Sequence, residues 1–214
     1  MNTDKLDKLA MAMIKYDSDA ERIQHFLKVH ALCHLIGVGE GLTAKELYTL
    51  EAAAYVHDIG IKAAYEKYGR QNGKLQEELG PAIAEEMLQQ LGFERDVTDR
   101  VMFLVGHHHT YANVEGTDYR ILLEADWLVN NLEYMLEGRD IYASYDVIFK
   151  TKTGKQIFND MFPNSLIKVD IPNNVTTSRY KSDVIEAMDE AVRISSAPQT
   201  KRYKSLTEAM ADSN

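Results

Sequence analysis

The chain has 214 residues, 45% of them hydrophobic, which suffices for one sizeable core and is too few for two ordinary domains and a linker. With 33 acidic against 24 basic residues, the net charge of −9 argues against binding DNA or RNA, although a small anionic substrate needs only a local cluster of metal and cationic side chains. The single cysteine, Cys33, excludes an intramolecular disulfide, the acid-bearing N-terminus lacks the layout of a signal peptide, and no run approaches the roughly 18 apolar residues of a membrane span. These features predict a cytoplasmic protein without a membrane partner.

Only 4 Pro and 12 Gly are present, and apolar residues recur at helical spacing through most of the first 160 positions, which predicts an all-α fold. Residues 4–16 form a first amphipathic helix candidate, and 17–37 a second, capped by Asp17 or Ser18, its end marked by Gly37 with Gly39 and Gly41. On the second, Ile23, Phe26, Leu27 and His30 make one stripe and His25, Val29, Leu32 and Ile36 another, so the helix is apolar on two faces and buried. A third begins at Thr43, where Glu46 completes a capping-box spacing; its stripe runs Leu47, Leu50, Ala54, His57 and ends with Asp58 before Gly60.

Residues 63–73 read as a polar loop or turn. Leu75, Leu79, Ile83, Met87 and Leu91 then keep helical spacing across Gly80-Pro81, where proline kinks the helix or starts a new one. From Asp96 a helix carries Val97, Val101, Leu104 and Val105, and the same arithmetic makes His108 the most inward of the three histidines that follow, with His107 next. After a loop at 111–118, residues 119–138 form a strong helix with Asp126 at the edge of its apolar face. A helix over 141–150, a break at Gly154 and a short helix or turn to Phe162 close the main domain, 1–162. Residues 163–214 form a C-terminal extension with a strand-like stretch, one helix over 181–194 and a polar tail.

Histidines and aspartates that finish core-facing stripes are costly unless they bind something. His25, His57-Asp58 and Asp126 lie on three separate helices, which points to a metal held between them. Imidazole with carboxylate suits Fe, Mn, Zn, Ni or Co. Taken alone, His57-Asp58 is equally a helix end with a dipole-stabilised histidine and a solvated aspartate, and His25 a packed core histidine.

The segments RIQHFLKV (22–29), AAAYVHDIGIK (52–62), ELGPAIAEEML (78–88), FLVGHHHTY (103–111) and ILLEADWLV (121–129) together resemble the HD superfamily of metal-dependent phosphohydrolases. The resemblance implies an antiparallel helical bundle, a divalent metal held by His25, His57, Asp58 and Asp126, and hydrolysis of a nucleotide or other small phosphate ester. It also implies that Asp58 orients the attacking water or bridges to a second metal, and that His107 and His108 bind substrate phosphate or that second metal. The alternative for these two is a helix end with exposed histidines. Lys62, four residues after Asp58, either binds a phosphate oxygen or is an exposed lysine. His30 and His34 match no ligand position, and Cys33 reads as a small buried hydrophobe.

Fuller two-metal members carry a histidine four residues before the glycine that matches Gly80, and this chain has Gln76 there. One tightly held metal is therefore expected, with at most a weak second one near Asp58, His107 and His108 unless Glu77 or Glu78 substitutes. Two other functions stay open: a metal-containing nucleotide sensor without turnover, and a di-iron oxygenase, which needs the full second-metal set.

Overall fold

A computed structural model describes residues 3–133 and 145–163. The described residues are all-α, with no strand among them. The helices are α1 (Thr3–Asp17), α2 (Ala20–Gly39), α3 (Ala44–Val56), α4 (Gly60–Tyr68), α5 (Gly73–Gln90), α6 (Arg95–Val105), α7 (Thr117–Glu133), the single turn α8 (Tyr145–Ile148) and α9 (Lys152–Met161).

The centre of the bundle is α3, which packs against α1, α2, α6 and α7. It starts where expected: the Thr43 hydroxyl accepts from the Glu46 N–H while the Glu46 carboxylate accepts from the Thr43 N–H, closing a capping box. Its run Ala52-Ala53-Ala54 is fully buried, and such small side chains let neighbouring helices approach from several sides. Around it Phe26, Val29, Cys33 and Ile36 of α2, Val101 and Leu104 of α6, and Leu122 and Leu128 of α7 complete the core. Full burial of each large side chain contributes about 1.5–3 kcal/mol. In α7 every residue from Ile121 to Asn131 is buried, so the carboxylates of Glu124 and Asp126 lie inside the protein.

Four local expectations are corrected. Residues 63–68, part of the stretch 63–73 read as a polar loop or turn, belong to the helix α4, which buries Ile61 and Ala64 and ends where Gly69 adopts φ 68°. Pro81 starts no new helix, since α5 continues through it. The helix α5 also lies so near α4 that a Cβ on Gly60 would stand 2.6 Å from the Gln76 carbonyl oxygen. The helix α6 stops at Val105, and residues 106–109 form a turn. Gly154 does not break a helix but sits in the first turn of α9, where a Cβ would collide with the Glu124 carboxylate. That buried carboxylate accepts the N–H groups of Lys150 at 2.7 Å and Thr151 at 2.9 Å, and so anchors the start of α9 to α7. The strand-like stretch, the helix over 181–194 and the tail lie outside the described residues.

At the other end, α1 inserts Leu6, Leu9 and Met13 into the core. Its last turn meets the loop between α3 and α4: the Tyr16 hydroxyl donates to the Ile59 carbonyl at 3.3 Å, and the Lys62 ammonium donates to the Tyr16 carbonyl at 2.8 Å. No helix of the described residues is long and apolar enough to cross a membrane.

Candidate metal centre

The bundle brings His25 of α2, His57 and Asp58 from the end of α3, and Asp126 of α7 to one point. His25 Nε2 lies 3.2 Å from His57 Nε2, 3.1 Å from Asp126 Oδ1 and 3.6 Å from Asp58 Oδ2. His57 Nε2 is 3.5 Å from the same oxygen of each aspartate. The two imidazole nitrogens stand 3.2 Å apart and 3.1–3.6 Å from an oxygen of each aspartate, and donor atoms of His25, His57 and Asp58 all lie within 4.8 Å of one another. Ligands about 2.1 Å from one four-coordinate ion stand roughly 3.4 Å apart, so the histidine–histidine and histidine–aspartate spacings and the mixed N/O donors fit a divalent transition metal.

Three of these side chains are oriented from behind. His57 Nδ1–H donates to the Ala54 carbonyl at 2.9 Å, which turns the Nε2 lone pair towards the cluster. His25 Nδ1 meets Glu133 Oε2 at 2.8 Å, and Asn130 Nδ2 donates to Asp126 Oδ1 at 2.9 Å. Carboxylates, carbonyls and amides in these places are what fix a metal ligand's tautomer and rotamer.

The charges in the metal-free cluster follow from this crowding. Burial alone would lower His25, but hydrogen bonds to Asp126 and Glu133 outweigh it and raise its pKa to about 10. Burial alone would raise Asp58 and Asp126; the neighbouring histidines instead hold both below the usual carboxylate range. His25 therefore carries a proton where a cation would otherwise sit.

The second oxygen of Asp58 points the other way. Oδ1 lies 3.3 Å from His108 Nε2, which is also 3.2 Å from Gln76 Oε1. His109 Nε2 comes within 2.9 Å of the same Gln76 oxygen. Asp58, His108 and His109 form a second grouping whose ligand atoms all lie within 4.8 Å of one another. His108 is fully buried and its pKa is raised, burial being overcome by the hydrogen bond and charge of Asp58. His109 is pushed down to about 3, first by burial and then by the charge on His108.

The expectation that His107 is the next most inward histidine is corrected here. Its Nδ1–H donates to the Phe103 carbonyl at 2.7 Å and its ring stacks on Phe103 with centroids 4.3 Å apart, so His109 takes the inward place. The 100° step per residue no longer applies once α6 has ended at Val105. Lys62 likewise stands apart from the cluster, bonded to the Tyr16 carbonyl and lying over the Tyr16 ring. Of the substitute ligands considered for the second site, Glu78 is exposed, while Glu77 Oε1 accepts the His109 N–H and the Thr110 hydroxyl, each at 2.9 Å. His30 stacks on Tyr55, His34 pairs with Glu51 and Cys33 is fully buried among apolar side chains.

Glu133, Asn130, His109 and Gln71, whose Oε1 accepts from Gln76 Nε2, belong to this constellation and are not singled out by the sequence. Asn130 and Glu133 fall four and seven residues after Asp126, a spacing that keeps them on its helix face. That signal was readable.

The HD domain family pattern matches residues 22–142, more than half of the 214 residues. No curated protein and no solved structure matches the chain. The matched segment contains all four residues of the first cluster, both residues that join Asp58 in the second, and the helices that carry them. The chain belongs to the HD domain family, helical proteins that bind divalent metals and are typically metal-dependent hydrolases.

Proposed function

We propose that the protein is a phosphohydrolase that cleaves a nucleotide or other small phosphate ester with metal-activated water. The observation that carries this reading is the four-donor cluster of His25, His57, Asp58 and Asp126, with Asp58 turned to face His108 on its other side. A divalent cation held there would supply Lewis acidity to a phosphoryl oxygen and lower the pKa of a water.

The chain's own residues supply the rest. Asp58 is held ionised, so its carboxylate can accept a hydrogen bond from the attacking water and orient it towards phosphorus. His108, whose pKa is raised beside Asp58, can when protonated neutralise charge that develops on the phosphoryl oxygens or give its proton to the leaving oxygen. A phosphate role for Lys62 requires its ammonium to leave the Tyr16 carbonyl, and for His107 it requires the ring to leave Phe103. His109 already offers a ring nitrogen within 4.8 Å of an Asp58 oxygen and needs no such movement.

A phosphate-release screen over nucleotides and simple phosphate mono- and diesters, run on protein reconstituted with Mn, Fe, Co, Ni or Zn, tests the reading. Turnover that depends on the added metal supports it. A nucleotide that raises the melting temperature of the metal-loaded protein without being consumed would instead make the domain a sensor.

A further inference from the structure

The helix α2 is apolar on two sides, and the described residues cover only one of them. Its core side sends His25, Phe26, Val29, Cys33 and Ile36 inward. Opposite them Leu27, Ala31, Leu35 and Val38 follow at i, i+4, i+8 and i+11, which sets them within about 80° of arc on one exposed face. Leu27 is 36% exposed, Leu35 57% and Val38 56%, and these are three of the six large apolar side chains exposed among the described residues. Single exposed leucines are ordinary, but a helix with a solvated face carries polar residues along it. A continuous apolar stripe in that place marks a surface whose partner is not among the described residues.

Candidate partners differ in how much surface they need. Three such side chains and an alanine offer only a few hundred Å², far short of the roughly 800 Å² per partner that a stable dimer buries. A segment of the same chain needs less, because tethering raises its local concentration to the order of millimolar. The sequence places a suitable segment within reach. The helix α9 begins at the C-terminal end of α2, where the Thr153 N–H donates to the Glu40 carboxylate at 2.7 Å, and its 10 residues carry the chain about 15 Å onward. Pro163 is the last described residue, and the stretch 164–180 that follows can span up to about 55 Å when extended. Residues 181–194 (KSDVIEAMDEAVRI) have the spacing of an amphipathic helix: Val184, Ile185, Met188, Ala191 and Val192 fall on one face and all the acidic residues off it. Such a helix is about 20 Å long, against about 16 Å of stripe from Leu27 to Val38.

We propose that residues 181–194 dock as a helix on the Leu27–Val38 face of α2, so that the C-terminal extension completes the packing of the helix that carries His25. Maleimide labelling of an added cysteine in the full-length chain tests this, the native Cys33 being buried. Leu35 is exposed, so Leu35→Cys leaves the core untouched. It should react about 10-fold more slowly than Gln89→Cys on the exposed side of α5, as expected when the docked form holds about 90% of the molecules. Adding Val184→Asp and Met188→Asp should bring the rate at Leu35→Cys up to that of Gln89→Cys. Mild oxidation of the double variant Leu35→Cys, Met188→Cys should join the two positions within one chain. A rate at Leu35→Cys that the two aspartate substitutions leave unchanged, whether fast or slow, overturns the proposal. Slow labelling that is relieved by dilution, with the disulfide formed between chains, overturns it too and makes the occupant a second copy.

Discussion

Glu133 stands directly behind His25, its Oε2 2.8 Å from Nδ1 on the far side of the ring from the ligand cluster. Its other oxygen is held by the Lys28 ammonium at 2.5 Å, so the carboxylate is fixed at both ends. The contact orients His25 and makes its Nε2 more basic. Glu133→Ala should therefore weaken the first metal by about 10- to 100-fold although Glu133 touches no other ligand. Glu133→Gln should fall between the two, since an amide can accept from Nδ1–H without carrying charge. Competition with a chelator of known affinity reads these differences directly, and an unchanged constant in Glu133→Ala would remove Glu133 from the site.

His25 also gives the metal-free protein a pH signature. Its pKa in the fold is about 10, against 6.5 for an ordinary imidazole, so the native state binds the proton more tightly than the unfolded chain. The stabilisation is complete below about pH 6.5 and is lost as pH rises through about 10. Metal-free protein should lose thermal stability across that window, and metal affinity should climb over the same range because the cation competes with the same proton. Asp58 and Asp126, held down, act in the opposite sense: their contribution is present above the ordinary 3.8 and is lost as pH falls below it. Calorimetry of metal-free wild type and His25→Gln between about pH 6 and 10 checks the alkaline side, where the variant should show the flatter profile.

Gly60 is the point at which α4 leans on α5, and it follows the His57-Asp58 pair by one residue of loop. Gly60→Ala places a methyl group 2.6 Å from the Gln76 carbonyl and 3.0 Å from the Gly80 nitrogen, which are backbone atoms that cannot rotate away. A loss of about 1–3 kcal/mol in stability is expected, together with weaker metal binding as the loop shifts. Urea unfolding of metal-loaded and metal-free protein separates the two effects. An alanine accepted without loss would mean that the two helices are not in this contact.

Much of the bundle could be read from the chain because its signals are local. The capping box at Thr43 and Glu46, the stripes on α3 and α6, the His25, Val29 and Ile36 stripe on α2 and the order of the histidines and aspartates survive in the fold, whereas Leu27 of the other α2 stripe is exposed. What was not legible depended on distant partners. The helix α4 buries only Gly60, Ile61 and Ala64, too short a pattern to stand out from polar neighbours. Gly154 reads as a helix breaker until the Glu124 carboxylate, thirty positions earlier in the chain, is seen to occupy the space of its missing side chain. His107 and His109 exchanged places because helical arithmetic was carried past the end of α6. Gln71 gives no sign of its role in sequence, since its partner Gln76 was itself read as a lost ligand.

Lys62 separates two accounts of one residue. If it reaches substrate phosphate, Lys62→Ala should lower kcat/KM by about 10- to 1,000-fold with metal content unchanged. If its work is to clip α1 to the loop after Asp58 through the Tyr16 carbonyl, the same change should lower the melting temperature and leave kcat/KM nearly intact. Steady-state kinetics and a melting curve on one preparation decide between them.

The most direct measurement of the central claim is phosphate-ester turnover by metal-reconstituted wild type and Asp126→Asn at equal protein concentration, with the metal content of each determined after dialysis. Asparagine keeps the size of aspartate and can still meet Asn130, so the fold should persist, but it removes one of the two carboxylates that face His25 and His57. The account predicts about one retained equivalent and metal-dependent hydrolysis in the wild type, and the loss of both in Asp126→Asn. Equal metal content and equal turnover in the two proteins would contradict it.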